Sequence, residues 1–138
     1  MKRIVLIACA ARKLPYKAKA EDLYVSPLFM GNLRYAKSLA PDAIFILSAK
    51  YGLLELDREI EPYNVTLKDM STAEVRTWAR GVIAQLEQHA DLHNDHFIFL
   101  AGDIYRKFLV PQLASYEVPL AGMRIGEQLQ FLAAQSYD

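Results

Sequence analysis

The apolar run Ile44-Phe45-Ile46-Leu47 stops abruptly at Ser48-Ala49-Lys50-Tyr51-Gly52, and this break constrains the chain more than any other feature. Uninterrupted apolar residues suit a strand covered on both faces, whereas a half-exposed strand alternates. Polar groups placed directly after such a strand lie where ligands of open α/β sheets gather, outside the carboxyl ends of the strands. The N-terminal run Ile4-Val5-Leu6-Ile7-Ala8 repeats the pattern and leads into Cys9, Arg12 and Lys13. A third run, His96-Phe97-Ile98-Phe99-Leu100-Ala101, ends in Gly102-Asp103.

Helical signals separate these runs. Ser26-Pro27 opens a helix, the serine capping free amides and the proline fitting the first turn, with Phe29, Leu33, Ala36 and Ala40 as its buried stripe. Ser71-Thr72-Ala73-Glu74 is a capping box, followed by Val75, Trp78, Val82, Ile83 and Leu86 at helical spacing. Asp103 is placed to cap a helix that buries Ile104, Phe108, Leu109 and Leu113. A weak strand over 116–120 and a last helix carrying Ile125, Leu129 and Leu132 complete the chain, while 10–25 and 51–70 read as irregular. Alternating strands and helices call for parallel pairing through right-handed crossovers. The expected fold is a single three-layer α/β domain over 1–138, with a four-stranded, mainly parallel sheet in the order 2-1-3-4 and helices on both faces.

With 138 residues and 53% hydrophobic composition, one core is affordable. No apolar run reaches the roughly 18 residues of a membrane span, and no signal-peptide core follows Met1. No membrane association and a cytoplasmic location are therefore expected. A lone cysteine cannot form an internal disulfide or a Cys-rich zinc site. Glycine-rich nucleotide loops, a His-Glu-x-x-His pair and a nucleophile elbow are missing as well. No metal and no cofactor are expected. Total charge is zero, yet residues 1–50 carry nine Lys/Arg against three Asp/Glu. Basic charge around the strand tips suits a phosphate-bearing partner.

The tips nominate a site. Lys13 and Lys50 supply cations, while Ser26, Ser48 and the start of the Pro27 helix suit an anion; plain capping by Ser26 and a rim position for Lys50 are the alternatives. Tyr24, Tyr51, Tyr63 and Tyr105 could stack a base or pack the rim. Cys9, beside Arg12 and Lys13, is either an inert thiol or a reactive one. Gly52 and Gly102, at the strand ends, and Arg124, inside Gly122-Met123-Arg124-Ile125-Gly126, join the ligand-binding candidates. Glu61, held before Pro62, and Asp103, after the third strand, are the acid/base candidates, with Lys50 as their cationic partner. His89, His93 and His96 fall at the opposite edge of the sheet and read as surface residues.

Several segments together carry a family resemblance: Cys9-Ala10-Ala11-Arg12-Lys13, Asp22-Leu23-Tyr24-Val25-Ser26-Pro27-Leu28-Phe29, Ser48 to Leu54, Glu61-Pro62-Tyr63, and Pro119 to Gly122 with Ile125-Gly126. The chain resembles an uncharacterised bacterial and phage family of small α/β proteins. That family is distantly similar to YaaA-type peroxide-stress proteins and to the uracil-DNA-glycosylase-like domain of archaeosine synthases. Members commonly have Cys-Ser where this chain has Cys9-Ala10, so a serine hydroxyl is missing here. The resemblance implies a uracil-DNA-glycosylase-like fold and a nucleotide, nucleoside or nucleic-acid partner. A base-releasing or base-modifying enzyme is the expectation, with a non-catalytic nucleic-acid-binding or stress-response protein as the alternative.

Overall fold

A computed structural model describes residues 1–135. In chain order the elements are β1 (Arg3–Ala8), a short β2 (Ala18–Lys19), a one-turn α1 (Ala20–Leu23), α2 (Pro27–Ser38), β3 (Ala43–Ser48), β4 (Gly52–Glu55) and β5 (Glu59–Ile60). They continue with α3 (Thr72–Leu86), β6 (His96–Leu100), α4 (Asp103–Arg106), β7 (Ser115–Glu117) and α5 (Ile125–Ala134). The fold is one mixed α/β domain around a mostly parallel sheet. β1 lies at its centre, parallel to β3 on one side and to β6 on the other, and β6 in turn pairs parallel with β7.

The sheet has five strands instead of four, in the order β4-β3-β1-β6-β7, so the strand count and order differ from expectation. The addition is β4, which returns antiparallel on β3 from a stretch read as irregular. Gly52 makes the return possible at φ +73°, a left-handed conformation that side chains disfavour. Beyond the turn, the Leu53 amide donates to Gln85 Oε1 of α3 at 2.9 Å, so the edge strand is covered by a helix side chain.

The other irregular stretches are also built. β2 pairs antiparallel with β5, matching Ala18 to Ile60, and this clasp lays Ala20, Leu23 and Ile60 onto one face of the sheet. That face is shared with Phe29 and Ala36 of α2 and Leu132 of α5. Gly31 lets the two helices close, since a Cβ there would stand 3.1 Å from Leu132 Cδ1. The opposite face carries Ala79, Val82 and Leu86 of α3 together with Leu109 and Leu113. Alternate residues of each central strand feed the two layers, Val5 and Ile7 to the first, Ile4 and Leu6 to the second.

Helix limits follow local chemistry. Ser26 Oγ accepts from the Phe29 amide at 3.2 Å, and Ser71 and Glu74 close a reciprocal capping box. Of the buried stripe expected on α2, Phe29 and Ala36 are buried, and Asn32 takes the place expected of Leu33. Asn32 and Ala36 are buried while Leu33 is half-buried, and Ala40 leaves the helix at φ +49°. Asp103 does not cap α4. Gly102 occupies the cap with no side-chain bond, and the helix lasts one turn before a 3₁₀ turn over Val110–Gln112. Pro111 lacks an amide proton and cannot extend an α-helix through that point.

Candidate functional site

The topology opens a crevice at the carboxyl end of the sheet. β1 runs on toward α2 on one face, whereas the chain after β6 packs Leu109 and Leu113 onto the other. Adjacent parallel strands whose connections leave to opposite faces part at their ends, and ligands of doubly wound sheets bind there. The cavity at this point measures about 380 Å³, with Cys9, Leu100, Gly102 and Leu120 among the residues lining it. That volume lies within the roughly 300–1,000 Å³ of small-molecule sites.

Four polar side chains reach this crevice. Arg106 is anchored by its Nε, which donates to Ala101 O at 2.8 Å, so its charge is held at the wall. Gln128 donates through Nε2 to Met123 O at 3.0 Å. Asp103 stands exposed at the mouth. Asn32 projects from α2, is only 6% exposed, and its Oδ1 has no hydrogen-bond partner among the described residues. A buried polar atom left unpaired costs about 1–3 kcal/mol.

Beside the crevice, across Cys9, the tips of β1 and β3 carry a hydroxyl network. Ser48 is fully buried, and its Oγ accepts from the amides of Lys50 and Tyr51 at 3.2 and 3.1 Å. Its two lone pairs being occupied, its proton goes to Tyr63 Oη at 2.8 Å. Tyr63 Oη in turn lies 2.5 Å from Tyr24 Oη. Trp78 Nε1 donates to Ser48 O at 2.8 Å and tethers α3 to the same turn. Cys9 Sγ sits 3.2 Å from Tyr105 Oη, whose ring meets Trp78 edge-on.

Burial holds the Tyr24, Tyr63 and Tyr105 phenols above the usual range, with the Cys9 sulfur adding to the effect. All three hydroxyls keep their protons at physiological pH. Lys13 Nζ lies 4.5 Å from the centre of the Tyr63 ring and 5.8 Å from that of Tyr24, and Lys50 Nζ 5.3 Å from that of Tyr51. Such cation–π placement keeps both ammonium groups beside the tyrosine wall.

Sequence-nominated residues thus divide between two neighbouring places. Cys9, Gly102 and Asp103 line the crevice, while Lys13, Tyr24, Ser48, Tyr51 and Tyr63 build the wall. Tyr24, 1% exposed and packed on Phe29, supports that wall and offers no open ring face. Ser26 caps α2, and Gly52 serves the β3–β4 turn. Arg12 is exposed; its carbonyl accepts from the Val25 amide. Arg124 is exposed at the start of α5, its amide donating to Glu127. Glu61 is exposed after β5, and among the described residues no hydrogen bond or ion pair joins it to Lys50 or Asp103.

Sequence reading passed over Asn32, Arg106 and Gln128. Asn32 carried a usable signal: it lies three residues after Phe29 and four before Ala36, a polar residue on an apolar stripe. The other two depend on how α4 and α5 approach the sheet and left no local mark. Among the described residues no His/Cys/Asp/Glu group is placed to hold a metal, and no helix is long and apolar enough to cross a membrane.

Comparison with known proteins places residues 4–134 in a match to a family of unknown function, DUF6884. The uncharacterized protein YfjM of Bacillus subtilis is 30% identical, the alignment covering 96% of this chain and 93% of the relative. No solved structure matches the chain significantly.

Proposed function

The chain belongs to the family of unknown function DUF6884, and we propose on the geometry of its site that it binds a nucleotide, nucleoside or nucleic-acid base between the ends of β1 and β6. The observation that carries this reading is the crevice of about 380 Å³ at the parting of these strands. Its walls combine apolar side chains such as Leu100 and Leu120 with the anchored cation of Arg106. Apolar walls suit a planar base, and a guanidinium suits a phosphate or an electron-rich ring substituent. The distant resemblance to YaaA-type proteins and to the uracil-DNA-glycosylase-like domain of archaeosine synthases supports the same ligand class.

Base release is the reaction we assign to the site. Water adds to the anomeric carbon as the C–N bond breaks; the water gives its proton to a carboxylate, and the departing base carries away the bonding pair. Asp103, at the mouth, is the carboxylate positioned for that role, and Arg106 the cation that steadies the leaving base. Lys50 and Glu61 lie outside the crevice lining, so this assignment gives them no part in the chemistry.

The experiment is incubation with nucleosides, nucleotides and oligonucleotides, followed by chromatography of released base. Turnover is expected with at least one substrate class, and Asp103→Asn is expected to lower it on the order of 10²-fold or more. A second reading, a non-catalytic nucleic-acid binder, draws on the basic excess of residues 1–50 and the exposed Tyr16 in that segment. Salt-sensitive oligonucleotide binding without product, weakened by Lys17→Ala and Lys19→Ala, would select it.

A further inference from the structure

We propose that Asn32 is the residue that reads the ligand, through a planar edge presenting an N–H donor beside a hydrogen-bond acceptor; this rests on the base-binding reading of the crevice. Asn32 sits on the inward stripe of α2, where its neighbours Phe29 and Ala36 are apolar. At 6% exposure it is one of three buried polar residues among the described residues, and its Oδ1 has no partner among them. Asparagine is a poor helix former, so propensity gives no reason for it at this position. A leucine would fill the stripe without an orphaned oxygen. What Asn32 has instead is a place in the lining of the crevice.

An orphaned carbonyl oxygen calls for a donor, which narrows the ligand. A phosphate or carboxylate offers acceptors only and leaves Oδ1 unpaired. A carboxamide has an acceptor and a donor side by side, and its natural complement is the same pair reversed, as when asparagine bonds a base edge at two points. Uracil, guanine and hypoxanthine present that pair as ring N–H and C=O; adenine presents it as an amino group beside a ring nitrogen. Leu28 and Leu100, also lining the crevice, provide apolar surface for the ring faces while the amide reads the edge. Arg106 remains available for an anionic substituent.

The test uses uridine, guanosine and adenosine against 3-methyluridine, 1-methylguanosine and N6,N6-dimethyladenosine, with ribose 5-phosphate as the baseless control. Calorimetric affinities are compared for the natural protein, Asn32→Leu and the smaller Asn32→Ala, which cannot overpack the stripe. The natural protein is expected to bind at least one nucleoside at least tenfold more tightly than its methylated partner. Both variants are expected to lose that discrimination while keeping the native circular dichroism spectrum and, for Asn32→Leu, an undiminished melting temperature. Nucleoside binding that ignores methylation, or discrimination that survives in both variants, would overturn the role of Asn32 and leave the base-binding reading intact. Binding of ribose 5-phosphate that depends on Asn32 would assign the amide to a sugar hydroxyl and overturn edge reading. Absence of binding by every nucleoside would overturn the base-binding reading itself, and edge reading with it.

Discussion

Ser48→Ala is expected to lower folding stability by about 2–4 kcal/mol, measured by urea denaturation with an unchanged m-value. The size follows from how many groups depend on one oxygen. Ser48 Oγ accepts from the Lys50 and Tyr51 amides and donates to Tyr63, and the residue is 0% exposed. Alanine leaves both amides without that acceptor and removes the donor to the Tyr24–Tyr63 pair. Each unsatisfied group in such a place costs about 1–3 kcal/mol, reduced where water reaches the turn. The partner variant Tyr63→Phe removes only the far end of the network. Coupling between the two substitutions should therefore reach about 0.5–3 kcal/mol in a double-mutant cycle. A loss below about 0.5 kcal/mol for Ser48→Ala would mean that water replaces the hydroxyl and that the network does not hold the turn.

Gly52→Ala should produce a loss of similar size by a different route. A side chain at φ +73° costs about 1–2 kcal/mol in backbone strain. In addition, a Cβ would stand 2.3 Å from Gln85 Oε1, well inside contact distance. Gln85 is flexible and can retreat, but it then gives up its bonds with the Leu53 amide and the Tyr51 carbonyl. The combined expectation is about 2–4 kcal/mol. In a Gln85→Ala background the clash disappears, so the same glycine substitution should cost only the backbone share of about 1–2 kcal/mol. Equal losses in both backgrounds would show that Gln85 does not restrain the β3–β4 turn.

The three central strands are legible in the sequence because burial on both faces leaves a mark that no neighbour has to explain: Val5, Ile46 and Ile98 all sit in uninterrupted apolar runs. α3 is legible from its capping box. β4 is not, because Gly52-Leu53-Leu54-Glu55 has neither the length nor the alternation of a strand and becomes one only when β3 lies beside it. The β2–β5 clasp fails to show for the same reason, since its partners stand about forty residues apart and pair over two residues each.

The candidate site was half legible. Strand ends pointed to Cys9, Ser48 and Gly102, and the structure brings these to the same end of the sheet. The tyrosines were visible as residues but not as a network, because Tyr24, Ser48 and Tyr63 meet only through tertiary folding. Glu61 looked aimed by Pro62, yet it follows directly on β5 with its side chain exposed. Asn32 stayed hidden because Leu33, one position along, offered a more conventional apolar stripe.

The most direct test of the crevice as the ligand site is an amide-resolved NMR titration of the isotopically labelled chain with AMP, GMP, UMP and CMP. Saturable shifts are predicted at Cys9, Ala101, Gly102, Arg106 and Met123 for at least one nucleotide, around the two parted strand ends. Shifts confined to residues 11–19, or no saturable shift with any of the four, would contradict the account.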